Sequence, residues 1–411
     1  MEIMNILFLS ELFYPHGSGA ELATSLYAKL LSGAGIDVVV ITSKFAGEPP
    51  SSRNENLTIY RLPLVEEHKS VKYSVMKRSD ILFSGFVRKM MEWADVVYVP
   101  RFWYSAIPLA KAHKKPVIVH LHDYFPICPL SISYNFSKTA VCDQHHILCP
   151  LRCIYTYEKN QNRGFKETLL SVALNSSAGR CLSRFVKFSD AIICVAKKQR
   201  DIIIEKKPEL RGKTYVAYNP LPVSSNARAL DIEGDDFGYF GGPDYLKGFH
   251  SLCQAMIEVN NAKRKLTKIH ITKFPDSKGQ LASSLSKLGF LLYRRLNDSE
   301  LEKVYRQIRA VVVPSLWHEP SPYVIDEAMC LGRVVIASRI GGIPEQVDGS
   351  KGAFLFEAGN IKQLAETINF VEDLTRETII DLGAQNRESL LKRRNNRRTI
   401  QGFMDVVAKV L

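Results

Sequence analysis

Residues 314–345 read PSLWHEPSPYVIDEAMCLGRVVIASRIGGIPE, and the first two of the three glutamates in this stretch lie on neighbouring predicted elements. Glu319 follows an apolar run that is typical of a buried strand, and Glu327 comes eight residues later within a helical pattern. A second apolar run, Val334–Ala337, follows that helix, and this order indicates one βαβ unit of a parallel sheet. Two carboxylates so placed can accept hydrogen bonds from the vicinal diols of one ligand. Spacing alone is equally compatible with two solvated glutamates that flank a prolyl turn.

Apolar runs alternate with helical patterns along most of the chain. The strand candidates are Asn5–Ser10, Asp37–Thr42, Leu57–Leu62, Asp95–Val99, Pro116–His120, Ala191–Val195, Phe237–Phe240, Lys268–Thr272, Ala310–Pro314, Val334–Ala337 and Ala353–Phe356. Clear helical patterns include Gly19–Ser32 and Ser299–Ile308, the second opened by the helix-start signal at residues 297–300. The alternation predicts an α/β fold with doubly wound parallel sheets, which bind ligands at the C-terminal ends of their strands.

The strand series restarts near the middle of the chain. Tyr215–Pro222 carries two prolines and is followed by the polar Ser224–Asp236, which together suggest a linker. We therefore predict two α/β domains, residues 1–220 and 221–392, with a basic tail helix at 393–411. A shared ligand site is expected in the cleft between the domains.

Composition excludes several protein classes. The 411 residues are 46% hydrophobic and 24% charged, which argues against a disordered chain, a collagen-like fibre or a small disulfide scaffold. The net charge of +13 is uneven, because residues 1–220 hold 29 basic and 19 acidic side chains against 26 and 23 in the remainder. This imbalance favours anionic partners such as phosphates or an acidic membrane surface. Nucleic acid is not expected, because no recognised binding module accompanies the charge.

The stretch from 314 to 345 resembles the E-x7-E signature of retaining glycosyltransferases of family 4. Val334–Glu345 also matches that family's strand and Gly-Gly-x-Pro-Glu loop, and weaker similarity extends from Met4 to about Gly402. The resemblance implies a GT-B fold, in which two Rossmann-like domains face a central cleft and the tail helix crosses back to the first domain. It also implies a retaining, hexosyltransferase-type enzyme that moves a sugar from a nucleotide-sugar donor to a glycan or lipid-linked acceptor.

The resemblance assigns roles to residues of the second domain. Glu327 is expected to bind the ribose hydroxyls of the donor and Glu319 the hydroxyls of the transferred sugar. The backbone amides of Tyr323 and Val324 lie at a helix start, where partial positive charge favours phosphate. No Asp-x-Asp metal motif is present, so no cofactor is expected to be required for catalysis.

A second motif, Phe237–His250 with the sequence FGYFGGPDYLKGFH, supplies a phosphate-binding candidate. Lys247 precedes a predicted helix, and a lysine with a helix N-terminus can stabilise a diphosphate leaving group. In the family, a Gly-Arg pair usually acts together with the Lys-Gly pair. This chain keeps Lys247 and Gly248 but has Gly242 where the arginine is expected, which leaves Lys247 as the one clear cation of the motif.

Two candidates come from the first domain. The turn HGSGAE at residues 16–21 joins the first strand to the first helix, and the resemblance favours Gly19 as the residue that approaches the donor. His122 follows the strand Pro116–His120 and resembles the family's His-Asp position, where a neutral imidazole can hydrogen-bond a sugar hydroxyl or the departing phosphate. His120 is expected on the opposite face of the strand, in a structural role.

Four cysteines are concentrated in an irregular insertion at about residues 125–160. They are Cys128, Cys142, Cys149 and Cys153, with His145 and His146 between them. A structural metal such as zinc, unrelated reduced thiols and a redox-sensitive disulfide are three competing interpretations.

The N-terminal residues lack the features of a signal peptide, and no apolar run reaches the roughly 18 residues that span a bilayer. We therefore expect a cytoplasmic protein. Basic residues mix with apolar ones in Lys69–Met91 and Arg163–Lys187, which suggests a peripheral contact with anionic lipid on the cytoplasmic face of a membrane. Solvated helix faces that cover a core are the alternative interpretation. For the activity, the alternatives are a nucleotide-sugar epimerase of the same architecture and a catalytically silent binding or scaffold subunit.

Overall fold

The computed structural model describes residues 4–65, 74, 77–142, 149–160, 164–222, 228–261, 263, 265–275 and 279–411. The chain divides into two compact units. Unit 1 comprises Met1–Pro220 together with Asn396–Leu411, and unit 2 comprises Leu221–Asn395.

Unit 1 is built on a sheet that has eight strands among the described residues. The strands of that sheet are β1 Asn5–Leu9, β2 Asp37–Ser43, β3 Ser51–Asn54, β4 Leu57–Leu62, β5 Val96–Val99, β6 Val117–Leu121, β9 Ala191–Cys194 and β10 Thr214–Val216. Their order is β10-β9-β6-β5-β1-β2-β4-β3, and β3 pairs antiparallel to β4 at the edge while the other pairs are parallel. A separate antiparallel hairpin is formed by β7 Tyr134–Asn135 and β8 Ala140–Val141. The described helices are α1 Gly19–Gly33, α2 Gly85–Trp93, α3 Ala106–Ala112, α4 Cys149–Asn160, α5 Phe165–Ser176, α6 Ala178–Phe185 and α7 Lys197–Lys206.

Unit 2 is built on a parallel sheet of six strands among the described residues. These are β11 Asp236–Tyr239, β12 Ile269–Ile271, β13 Phe290–Leu292, β14 Ile308–Val313, β15 Val334–Ser338 and β16 Ala353–Phe356. The helices are α8 Phe249–Asn260, α9 Gln280–Lys287, α10 Asp298–Gln307, α11 Tyr323–Cys330, α12 Ile343–Gln346, α13 Ile361–Asp373 and α14 Arg376–Arg393. The order β13-β12-β11-β14-β15-β16 reverses direction between β11 and β14, which is the topological switch point of a doubly wound fold.

The last helix, α15 (Asn396–Val407), belongs to unit 1. Its Phe403, Val406 and Val407 are buried in the same apolar cluster as Ile6 and Phe8 of β1. Burial of these side chains removes apolar surface from water, at about 25 cal/mol for each Å². The tail is therefore part of the core of unit 1.

The predicted α/β class with doubly wound parallel sheets is confirmed. Each predicted strand corresponds to an observed one, and the Asn297 side chain accepts a hydrogen bond from the Glu300 amide as the N-cap of α10. The predicted linker is corrected at both ends, because Thr214–Val216 pairs with β9 and Asp236 begins β11. No helix in the described part of the chain is both long and apolar enough to cross a bilayer.

Candidate functional site

Lys247 and Glu319 follow the two neighbouring strands at the switch point of unit 2. Strand β11 ends at Tyr239 and leads into the turn that carries Lys247, whereas the adjacent β14 ends at Val313 before Glu319. Because both strands are parallel, their C-terminal ends lie at one edge of the sheet. That edge is the usual ligand crevice of such folds.

Gly248 allows the Lys247 turn to approach β14 closely. Its φ of +81° lies in the left-handed region, and a Cβ atom there would lie 1.8 Å from the carbonyl oxygen of Pro314. No larger residue fits without moving the backbone. The glycine therefore explains how the lysine comes to lie beside the residues that follow β14, and α8 begins immediately after it.

Lys247 and Glu319 form an ion pair in this structure. Lys247 Nζ lies 2.5 Å from Glu319 Oε1, while Glu319 Oε2 accepts hydrogen bonds from Ser315 Oγ at 3.0 Å and Trp317 Nε1 at 2.9 Å. Glu319 is buried, whereas 38% of the Lys247 side chain is exposed. The carboxylate is thus oriented by three donors, and the ammonium keeps a face toward solvent.

The Gly-Gly loop after β15 holds the backbone of Glu319. Gly341 has a φ of +59°, and a Cβ atom there would lie 2.4 Å from the carbonyl oxygen of Glu319. The Gly342 amide donates a hydrogen bond of 2.8 Å to that same oxygen. The Gly-Gly-x-Pro-Glu motif therefore fixes the position of Glu319 through its backbone.

Glu327 lies on α11, whose first two residues are Tyr323 and Val324. Burial raises the pKa of Glu327 to about 7, and the nearby ammonium of Lys273 opposes that rise. Burial, followed by the charge of Glu327, also raises the pKa of the Tyr305 hydroxyl. Glu327 as a whole residue is only half-buried, and hydroxyl donors of a ligand that reach its carboxyl would favour the ionised form.

In unit 1, the turn before α1 wraps around Glu21. The Ser18 amide donates to Glu21 Oε2 at 2.6 Å, and a Cβ atom on Gly17, at a φ of +93°, would lie 2.4 Å from the carboxyl carbon. Gly19 is the first residue of α1. The geometry thus requires a glycine at position 17, and donor contact by Gly19 stays a prediction.

Sequence reasoning missed a buried charged cluster at the switch point of unit 1. Arg101 follows β5, with Nη1 3.1 Å from Glu21 Oε1 and Nε 3.8 Å from Glu11 Oε1. Glu11 follows the neighbouring β1, accepts a hydrogen bond from the Phe102 amide at 3.1 Å, and is fully buried. Burial raises its pKa to about 7 against the lowering effect of Arg101. A charged residue two positions after the end of each of two apolar runs was the available signal.

His122 is half-buried just after β6, and its Nε2 atom is buried without a hydrogen-bond partner among the described residues. Burial holds its pKa well below the ordinary value, so the imidazole is neutral at pH 7. The expectation for the face of His120 was wrong, because residues two apart share a face and the two rings stack with centroids 4.5 Å apart. His120 Nδ1 lies 2.7 Å from the Tyr98 hydroxyl, in the buried core of the sheet.

The cysteine insertion is described only in part. The side chain of Cys149, together with His145 and His146, lies outside the described residues. Cys153 is buried, where its Sγ lies 3.4 Å from the Phe136 amide nitrogen and 3.5 Å from the Tyr134 carbonyl oxygen. Of the described side chains, no three histidines, cysteines or carboxylates gather as metal ligands. A structural zinc on Cys128, Cys142, Cys149 and Cys153 stays a prediction.

Comparisons with known proteins agree with this architecture. Residues 17–225 match the model of Glycosyltransferase Family 4, and residues 234–372 match that of Glycosyl transferases group 1. An uncharacterized 42.6 kDa protein in the cps region of Klebsiella pneumoniae is 24% identical over 351 residues, which cover 83% of this chain and 87% of that protein. The uncharacterized glycosyltransferase MJ1178 of Methanocaldococcus jannaschii is 25% identical, covering 70% and 83%.

Solved structures share the fold across the whole chain. Sucrose-phosphate synthase from Thermosynechococcus elongatus has a TM-score of 0.69 at 14% identity, covering 99% of this chain and 98% of that one. Anabaena Alr3699/HepE, solved in complex with UDP and glucose, has a TM-score of 0.62 at 16% identity, covering 98% and 99%. The fold is therefore GT-B, and the chain belongs to glycosyltransferase family 4.

Proposed function

We propose that this glycosyltransferase moves a sugar from a nucleotide-sugar donor to a glycan or lipid-linked acceptor, with retention at the anomeric carbon. The observation that carries the proposal is the Lys247–Glu319 ion pair at the switch point of unit 2. A carboxylate accepts hydrogen bonds from sugar hydroxyls, and an ammonium neutralises phosphate. The two groups together match the junction at which a sugar is joined to a diphosphate.

Each group of unit 2 has a defined role in this proposal. Glu319 hydrogen-bonds the transferred sugar, and Lys247 supports the diphosphate together with the N-terminus of α8. Glu327 accepts hydrogen bonds from the two ribose hydroxyls, and the amides of Tyr323 and Val324 add partial positive charge at the start of α11. The complex of HepE with UDP and glucose, in a protein of the same fold, supports a donor of this class.

The chemistry requires charge stabilisation at one bond. The bond from the anomeric carbon to the diphosphate breaks and its electron pair leaves with the phosphate. The acceptor oxygen then bonds the same face of that carbon, and its proton passes to the departing phosphate oxygen. Lys247 stabilises the transition state more than the bound donor, because negative charge develops beside it as the diphosphate departs. Unit 1 contributes His122 as a neutral hydrogen-bond partner, and Gly19 as a close backbone approach.

We propose that cationic side chains of the protein supply the positive charge that the diphosphate requires, without a metal cofactor. Activity is therefore expected to survive treatment with a chelator. A loss of activity with EDTA that magnesium restores would contradict this part of the proposal.

An anionic lipid surface is the second partner that we propose, on the cytoplasmic face of a membrane. On α5 of unit 1, Phe165, Leu169 and Leu170 expose 70%, 52% and 58% of their surface. The exposed Lys166 is offset by the exposed Glu167 beside it, and the positive charge of this segment comes from the exposed Arg184 and Lys187 further along the chain. Apolar side chains mixed with basic ones are the composition of interfacial helices. Co-sedimentation with vesicles should depend on anionic lipid and fall with salt and in Leu169→Glu; insensitivity to all three would refute the lipid contact.

An assay for acceptor-dependent nucleotide release tests the enzymatic proposal against its rivals. With a panel of nucleotide sugars, a transferase releases nucleoside diphosphate only when a glycan or lipid-linked acceptor is added. An epimerase changes the sugar without an acceptor, and a silent subunit does neither. Glu319→Gln should abolish the acceptor-dependent release, whereas Glu366→Gln, an exposed glutamate on α13, should not. The anomeric proton coupling of the product, measured by NMR, reports retention or inversion.

A further inference from the structure

A further lysine, which the sequence motifs did not single out, lies at the C-terminal ends of the strands of unit 2, where Lys247 and Glu319 are found. Lys273 follows β12, the strand that pairs with β11 on the side away from β14. A Cβ atom on Gly242 would lie 3.4 Å from the Cβ of Lys273. The lysine side chain therefore starts beside the position at which this chain lacks the expected arginine.

The backbone of Lys273 is held in an unusual conformation. Its φ is +62°, in the left-handed region that non-glycine residues occupy at a cost of order 1–3 kcal/mol. Glycine would adopt this φ without that cost. A lysine kept at such a position indicates a use for its side chain, because strained residues of this kind cluster at ligand sites.

The charges around Lys273 favour an anionic ligand. Lys273 is an exposed residue, yet partial desolvation lowers the pKa of its ammonium; the carboxyl of Glu327 opposes this, and Lys247 and Arg295 lower the pKa further. Lys273 forms no ion pair with the described residues, whereas Lys247 is already held by Glu319. Lys247, Lys273 and Arg295 outnumber the two carboxylates of Glu319 and Glu327, and this excess of positive charge favours an anion.

We propose that Lys273, beside Gly242, binds the diphosphate of the donor and thereby supplies the second phosphate-binding cation of the site. The assignment rests on the proposed nucleotide-sugar site and adds a residue from a third strand to it. Lys247 and Lys273 then approach the diphosphate from the ends of β11 and β12. Glu327, close to Lys273, orients the adjoining ribose.

Calorimetric titration with a panel of nucleoside diphosphates and their uncharged nucleosides tests this assignment. At about pH 8.5, well above the pKa of Glu327, Lys273→Met should weaken the best-bound diphosphate by about 10- to 100-fold, the range of a charge-assisted hydrogen bond, and leave nucleoside affinity within about twofold. Lys273→Arg should retain most of the affinity because it retains the charge. Lys287→Met, an exposed lysine at the end of α9 on the opposite edge of the sheet, is the matched control and should have no effect.

Lys273→Gly separates binding from folding. Glycine relieves the positive φ, so the melting temperature should stay the same or rise while diphosphate affinity falls as in Lys273→Met. Equal diphosphate affinity in wild type and Lys273→Met would overturn the role of Lys273 and leave the donor site in place. If none of the panel binds wild type, the proposed function fails, and the assignment fails with it.

Discussion

The ion pair between Lys247 and Glu319 should be measurable as a coupling free energy in the donor-free protein. The change is the double-mutant cycle of Lys247→Met, Glu319→Gln and the two together. Exposed pairs contribute about 0–1 kcal/mol, and breaking a buried pair costs about 3–5 kcal/mol. This pair lies between these limits, because Glu319 is buried while 38% of the Lys247 side chain is exposed. We therefore expect a coupling of about 1–3 kcal/mol.

Hydrogen exchange in peptides from Leu221–Asn395, measured under native conditions, reports the stability of unit 2 separately from that of unit 1. In Glu319→Gln the bonds from Ser315 and Trp317 can persist, so the cycle isolates the interaction with Lys247. The control is Lys362→Met, at an exposed lysine on α13, which should show no coupling to Glu319→Gln. A coupling below about 0.5 kcal/mol would refute the ion pair as the ground state of the site.

Three further predictions concern other positions. Gly248→Ala should lower the free energy of unfolding of unit 2 by about 2–4 kcal/mol, because its Cβ meets the carbonyl oxygen of Pro314 at a positive φ. Hydrogen exchange in peptides of unit 2 checks this, with Gly359→Ala as the control, since Gly359 has the same φ of +81° and its nearest atom to an added Cβ is 3.7 Å away. Equal losses in the two variants would contradict it. Glu11 keeps its proton in the folded protein up to a pKa of about 7, so its contribution to stability is full below about pH 4.5 and is lost as the pH rises to 7. The melting temperature of Glu11→Gln relative to wild type should therefore be higher at pH 8 than at pH 5, and a pH-independent difference would count against it. Nucleoside affinity should rise with pH through about 7 in wild type as Glu327 ionises, and this rise should disappear in Glu327→Gln. Calorimetric titration at pH 6 and pH 8 tests this. The same pH dependence of affinity in both proteins would exclude Glu327 as the titrating acceptor.

The interior strands were predictable because a parallel strand covered on both faces is apolar throughout. Val334–Ser338 and Leu57–Leu62 illustrate this, since both apolar runs are nearly coextensive with observed strands. The edge strands were not predictable in the same way. Ser51–Asn54 is polar and pairs on one side only, and Phe290–Leu292 has three residues directly after a helix. Ser51–Asn54 buries too little to leave an apolar pattern, and the apolar run of Phe290–Leu292 is too short to be distinguished from the end of the preceding helical pattern.

The site was predictable as a set of residues but not as a set of contacts. The family resemblance picked out Lys247 and Glu319, yet nothing in the spacing predicts that two groups 72 positions apart form an ion pair. The cluster of Glu11, Glu21 and Arg101 depends on β1 and β5 being neighbours, which follows from strand order and not from local sequence. Lys273 could be recognised as a candidate site residue only from its position beside Gly242 in the folded chain, because the two residues follow different strands.

The central claim is that unit 2 binds a nucleotide sugar through Glu327. The most direct measurement is a thermal-shift screen of nucleotide sugars against wild type and Glu327→Ala. A ligand at 100 times its Kd adds about 2.7 kcal/mol to the stability of the folded state. We predict that one donor raises the melting temperature of wild type in a saturable way and has a much weaker effect on Glu327→Ala. No shift with any nucleotide sugar, or the same saturable shift in both proteins, would contradict it.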